Sequence, residues 1–235
     1  MARSRRTILA GILVAIACAV GAAAQSPSNV PLVPQPPGSV VQNRLVYLNG
    51  EATNVQWRVI ASKNRVGAGN GRQFYQWFLS IYSLRRGVYR LRYQSPANGG
   101  PLSRVTQANG AQMWFPVQEL RVVGAAELMQ TGVQQIVVQS HEMAADCGSA
   151  TVTAFAGGPG GSVVPAVSVS NPCELAATIA SDRKSVVLRG PYYAADAAMC
   201  CPTKPSASAV LRYRNGQWIE SPNYFKLYVG RLPPA

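Results

Sequence analysis

The 235-residue chain predicts a mainly β protein with little helix: an antiparallel β-sandwich or an open barrel, stapled by disulfides. Three observations carry this. Apolar and polar residues alternate over short runs, as in "GVYRLRYQS" at 87–95, the period-two mark of a half-buried strand. Gly, Asn and Pro punctuate those runs throughout. Four cysteines, Cys147, Cys173, Cys200 and Cys201, remain once the leader is set aside, an even number suited to a disulfide framework.

The leader comes first. Arg3, Arg5 and Arg6 precede an apolar run from Ile8 to Val20, and Ala22 and Ala24 fit a cut before Gln25. Residues 1–24 therefore read as a signal peptide, and the run is shorter than the ~18 residues of a spanning helix. The chain is expected to be exported, to periplasm or outside medium, with no transmembrane span after the cut. "AIAC" at 15–18 resembles a bacterial lipobox, with Ala15 where leucine is usual; the cut at Gln25 is cleaner than a lipid anchor at Cys18. "QSPSNVPLVPQPPGS", residues 25–39, holds five prolines and reads as a disordered tether.

A β-rich domain over 40–235 follows. "LVYLNGEATNVQWRVIAS" offers two strands about Asn49–Gly50. "FYQWFLSIYSLRRGVYRLRY" reads as a hairpin from Phe74 to Tyr93 turning at Arg85–Gly87, with Val88, Arg90 and Arg92 on one face and Tyr89, Leu91 and Tyr93 on the other. "AQMWFPV", "LRVVGA", "QQIVVQS" and "ATVTAF" are further strands. The glycine loop at 156–161 suggests two lobes, 40–156 and 162–235. Beyond it come "AVSVS", then "LAATIA" and "SVVLRG" about Ser181–Lys184, and "AVLRYRNGQWIE" with a two-residue turn at Asn215–Gly216. "VQELRVVGAAELMQTG" and "CELAATIAS" also admit short helical readings.

Adjacent Cα atoms lie ~3.8 Å apart, below the ~4.4 Å at which disulfides begin, so a Cys200–Cys201 bond would be strained. An extended pair points its side chains to opposite faces, one toward Cys147 and the other toward Cys173. Four cysteines allow three pairings, and a strained vicinal bond acting as a redox switch is the alternative. Zinc spacings are missing and His141 is the sole histidine, so no metal or cofactor is expected.

Charge is uneven. The chain has 22 Lys+Arg against 9 Asp+Glu, and between Thr53 and Gln118 there are nine basic residues and no acid. Such a region attracts polyanions. Arg85, Arg86, Arg90 and Arg92, beside Tyr89 and Tyr93, are the candidate anion-binding residues. The expected partner is an anionic envelope polymer or lipid head groups, or another envelope protein met through a strand edge; nucleic acid is not expected.

No nucleophile elbow, His-x-x-x-His pattern or phosphate loop occurs, so no catalytic residue is assigned and the chain reads as non-enzymatic. Glu142 and Asp146, four residues apart, would share a face for acid–base work if "HEMAAD" were helical.

The C-terminal third carries an aspartate before Cys-Cys-Pro, then a strand of Arg/Tyr type and a glycine turn: Asp196, Cys200, Cys201, Pro202, Arg212, Tyr213 and Gly216. With "DCG" at 146–148 this resembles the bacterial LppP/LprE lipoprotein family. The resemblance covers 146–220 and implies an exported envelope protein without an assigned catalytic mechanism.

Overall fold

The computed structural model describes residues 32–48, 55–69, 72–95, 104–106, 112–114, 117–142, 149–157, 161–198 and 201–229. The leader, the turn at Asn49–Gly50, Asp146, Cys147 and Cys200 lie outside them. Every regular element described is a strand, and every pairing is antiparallel.

The first sheet is a meander of β1 (Ser39–Leu48), β2 (Val55–Gly69), β3 (Arg72–Arg85) and β4 (Val88–Gln94). A short ribbon pairs β5 (Arg104–Thr106) with β6 (Gln112–Trp114). The second sheet runs in the order β15 (Lys226–Val229), β10 (Val163–Asn171), β9 (Ser149–Gly157), β8 (Gln135–Glu142) and β7 (Val117–Ala126). The third is β11 (Ala176–Ile179), β12 (Val186–Tyr192), β13 (Lys204–Arg214) and β14 (Gln217–Ser221).

Two cores explain the layering. Trp57, Val59, Leu79 and Ile81 of the first sheet pack against Val122, Ile136, Val138 and Phe155 of the second. Val137, Val152, Ala154 and Val167, on the second sheet's other face, pack against Leu188, Ala209, Leu211 and Trp218 of the third. The second sheet is thus covered on both sides, and β8 and β9 are buried almost residue by residue. Their buried positions are apolar only in part: Ile136–Val138 form the apolar stretch of β8, while Gln135, Gln139, Thr151 and Thr153 are buried polar residues held by hydrogen bonds. The β-rich expectation holds, as a stack of three sheets where a sandwich has two.

The hairpin turns follow from backbone chemistry. Arg86 and Gly87 sit at φ 52° and 76°, and Asn215 and Gly216 at φ 50° and 78°. Each is a two-residue turn with both residues left-handed, whose twist suits the strands it joins. The helical readings give way to strands: "VQELRVVGAA" is β7, and "AATI" is β11, paired with β12. Tertiary burial decides both, because Ala177 and Val122 complete the two cores. Strand β9 pairs with β10 across the glycine loop from Val163↔Gly157 onward, and Pro31–Ala235 forms one compact unit, so that loop joins neighbours within one sheet.

Part of the proline-rich tether is packed. Pro36 is buried, Val33 lies against Ile60, Tyr82 and Tyr89, and the Ser62 hydroxyl donates to the Pro37 carbonyl at 2.6 Å. Gly38 turns this arm into β1 at φ 75°, where an added Cβ would come within 2.6 Å of the Lys63 carbonyl. Only glycine fits that approach. Further on, the Gln42 amide bonds both backbone groups of Val122, at 2.8 and 3.3 Å, and ties the first sheet to β7.

The two-bond staple is not described as a whole: no disulfide joins two described residues, and Cys147 and Cys200 lie outside them. Cys173 is buried and disulfide-bonded to a partner outside the described residues, its sulfur also accepting a 3.0 Å hydrogen bond from Tyr193, whereas Cys201 is exposed. Hydrogen bonds close the loop around Cys201, with Ala194 N–H on Thr203 Oγ1 at 2.9 Å and Tyr192 paired with Lys204.

Candidate functional site

The β3–β4 hairpin carries the expected anion-binding residues, and one irregularity redistributes them. Ile81 pairs with Tyr93 but Tyr82 pairs with Leu91, so Arg92 is the extra residue of a β-bulge. A bulge exchanges the faces on either side of it. Tyr89 therefore joins Ile60 and Tyr82 on the outer face of the first sheet, while Tyr93 joins the core beneath it, its ring 4.9 Å from Phe155. The single aromatic face expected for Tyr89, Leu91 and Tyr93 does not form, and Leu91 stands exposed.

Tyr89 is buried and Tyr93 half-buried. The Tyr89 hydroxyl accepts from Arg58 Nε at 2.9 Å and donates to Gln56 Oε1 at 3.3 Å, with the Arg58 guanidinium 5.7 Å from the ring centre. Burial pushes the Tyr93 phenol up to about 12. Its hydroxyl is one of the buried groups without a hydrogen bond among the described residues, as is the Trp57 indole nitrogen.

The arginines do come together. Arg90 lies opposite Ser83 and Val88 opposite Arg85, which by register sets Arg85 and Arg90 on the side facing the second sheet. Arg85, Arg86 and Arg90 are exposed, and Arg92 is half-buried with its Nε on Ser83 Oγ at 2.7 Å. The Arg92 guanidinium also lies against Gly161, where an added Cβ would meet Nη1 at 3.3 Å. Gly161 is left-handed at φ 75°, so a side chain is resisted there twice.

Below the hairpin a pocket of about 70 Å³ opens between the first and second sheets. Its buried wall is Trp57, Ile136, Phe155 and Val163; Arg85 and Gly161 are exposed parts of the same wall. Sequence reasoning missed it because its residues come from β2, β3, β8, β9, β10 and the loop at Val133–Gln134. The one local signal was the glycine pair Gly157 and Gly161 flanking the β9–β10 turn.

Elsewhere, Glu142 ends β8 inside a nest of hydroxyls, accepting from Ser149 and, at 3.3 Å, from Thr151. Burial pushes its carboxyl up to about 7, with those hydrogen bonds opposing the shift. Glu142 is in a strand, so the helical spacing to Asp146 does not apply at its position. His141 meets the Gln139 amide at 2.7 Å, and Gln139 bonds the Leu175 carbonyl and the Ala177 N–H, so this cluster ties the second sheet to β11. Asp196, Cys201 and Pro202 lie in the β12–β13 connection, and Arg212, Tyr213 and Gly216 in the β13–β14 hairpin, where Tyr213 packs on Trp218 at 5.1 Å.

Among the described residues no group of three potential metal ligands assembles, and no helix is long and apolar enough to cross a membrane. No protein-family model, curated protein or solved structure matches the chain.

Proposed function

We propose that this chain is an exported, non-enzymatic envelope protein that holds an anionic envelope component on the end of its β3–β4 hairpin. One observation carries the reading: Arg85, Arg86, Arg90 and Arg92 sit within one tight hairpin, three of them exposed. A strand pair closed by a two-residue turn holds the arginine backbones close together, so a polyanion can meet the exposed ones with less ordering left to do on binding. The surrounding sequence reinforces it, since 53–118 holds no acidic residue to neutralise the field. The basic leader and the Cys-Cys-Pro outline support the envelope location, and the hairpin supports a polymer or lipid-head-group ligand over a small neutral one.

Replacing Arg85, Arg86, Arg90 and Arg92 together by serine is expected to weaken binding to anionic vesicles or an acidic polysaccharide at least tenfold, at roughly 1 kcal/mol per arginine near a charged surface. Cosedimentation across about 0.05–0.3 M salt reads it, and wild-type binding should fall steeply over that range. Wild-type protein that shows no salt-sensitive binding would remove the proposal. Export has its own readout: the chain recovered from an envelope fraction of the native host is expected to begin at Gln25.

A further inference from the structure

The outer face of the first sheet is crossed by the chain's own proline-rich arm. Residues 32–36 form no strand or helix, and along them Val33 and Pro36 turn inward while Pro34 and Gln35 between them are exposed. A three-residue period of burial is that of a polyproline II helix, whose backbone makes no internal hydrogen bonds. Its seat is aromatic and aliphatic. Val33 packs on Ile60, Tyr82 and Tyr89, and the Ser62 hydroxyl donates to the Pro37 carbonyl at 2.6 Å. Grooves lined by aromatic side chains receive proline-rich segments in this way. The arm leaves part of the face uncovered. Leu45 and Leu91, in register with Arg58 and Tyr82 across the four strands, are 39% and 50% exposed, and Leu32 at the arm's outer end is 92% exposed. Charge bears on what can approach. In a chain of formal net charge +13, Arg58 is the one charged residue that register sets on this face across 43–45, 56–62, 78–84 and 89–91. Its guanidinium is already committed, to the Tyr89 hydroxyl at 2.9 Å and Asn43 Oδ1 at 3.3 Å.

We propose that this face binds the proline-rich arm of a second copy of the chain, so that two copies exchange residues 32–37 and bury their outer faces against each other. The segment that fits the groove is this chain's own, and a second copy carries the same segment. Gly38 is the joint that exchange requires. It folds the arm back at φ 75°, and glycine takes the opposite sign of φ as readily, which releases the arm outward. Reach fixes the geometry. The six residues 32–37 span about 19 Å as polyproline II, so an exchanged arm meets its groove only when the two outer faces adjoin. Adjoining faces cover Leu32, Leu45 and Leu91, and a two-fold axis makes each contact twice. The arginine-rich surfaces of this chain repel a copy; this face sets only Arg58 against it, already paired.

The test uses two full-length variants that complement each other. Val33→Ser with Pro36→Ser spoils the arm and leaves the groove. Ser62→Lys puts a long side chain where a fully buried serine lies beneath the arm, and so blocks the groove and leaves the arm. In the wild type the arm competes in cis at an effective concentration in the millimolar range, so its dimer is expected by sedimentation only toward about 1 mM. Mixed, the two variants offer an intact groove and a released arm with no cis competitor, and their heterodimer is expected to be at least about tenfold tighter than the wild-type dimer. Each variant alone is expected to stay monomeric over the same range. A mixture no tighter than wild type overturns the proposal, and so does self-association of the Val33→Ser, Pro36→Ser chain to the wild-type extent. Should Ser62→Lys unfold, a peptide of residues 31–38 decides. It is expected to shift the Tyr82 and Tyr89 ring resonances of the Val33→Ser, Pro36→Ser chain saturably, and no shift up to about 5 mM peptide overturns the proposal. An unrelated proline-rich peptide binding that chain as tightly would assign the groove to proline-rich partners at large and remove the second copy.

Discussion

Glu142→Gln is expected to flatten a pH dependence of stability that the wild-type protein shows between about pH 4.5 and 7. Burial at the end of β8 raises the folded-state carboxyl from 4.5 to about 7. Below the unfolded value both states are protonated and the buried site is satisfied by a neutral acid. As pH rises past 4.5 the unfolded chain releases this proton first. The folded state then holds a proton its competitor has given up, and its advantage shrinks by about 1.4 kcal/mol per pH unit until the folded group titrates too. The loss reaches about 3 kcal/mol by pH 7.

The hydroxyls of Ser149 and Thr151 soften this loss without cancelling it, since desolvation is the larger effect. Glutamine keeps the side chain's shape and an acceptor oxygen but cannot ionise. Urea unfolding at a series of pH values should therefore show a falling wild-type curve and a much flatter variant. Glu220 is also raised by burial, so some slope of the same sign remains in the variant. Parallel curves for the two proteins would show that Glu142 is solvated and that the nest of hydroxyls around it opens.

What could be read from the chain, and what could not, follows the range of the forces involved. Arg86–Gly87 and Asn215–Gly216 were legible because a left-handed two-residue turn is a local demand that few residues meet. The strands were legible from alternation and β-branched content, β8 and β9 among them. That they lie between two other sheets was not, since continuous burial says only that both faces are covered. The bulge at Arg92 left no mark, because the pattern Tyr-x-Leu-x-Tyr is as regular as any unbulged strand. Only the packing of Tyr93 on Phe155, 62 positions away in sequence, selects the extra residue. Of the residues named as candidates, Arg85 and Arg90 share one side of the hairpin, whereas the bulge sets Tyr89 and Tyr93 on opposite sides. The helical readings of β7 and β11 failed where a core needed Val122 and Ala177 more than local propensity resisted.

Gly190→Ala is expected to destabilise the protein by about 3 kcal/mol or more, by steric exclusion rather than by backbone strain. A Cβ at this position would lie 2.1 Å from the Glu174 carbonyl oxygen and 3.2 Å from Asn171 Nδ2. Neither neighbour can retreat cheaply. The Asn171 amide is committed to the Glu174 carbonyl at 3.2 Å and to the Pro191 carbonyl at 2.9 Å. Residues 172–175 are the link by which the chain passes from the second sheet to the third, and they carry Cys173 and Leu175, both buried. Moving the Glu174 backbone away from a methyl group thus breaks the asparagine clamp and withdraws Leu175 from the core. In a chain of this length each kcal/mol lowers Tm by about 2–4 °C, so a drop of about 6 °C or more is expected. Gly67→Ala supplies the control. No heavy atom lies within 4 Å of its added Cβ and its φ is unremarkable, so its Tm should move by less than about 2 °C. Equal shifts in the two variants would mean that the close approach of β12 to the 172–175 link is not what joins the second and third sheets. The Gln139 bonds to Leu175 and Ala177 would then be the connection to break next.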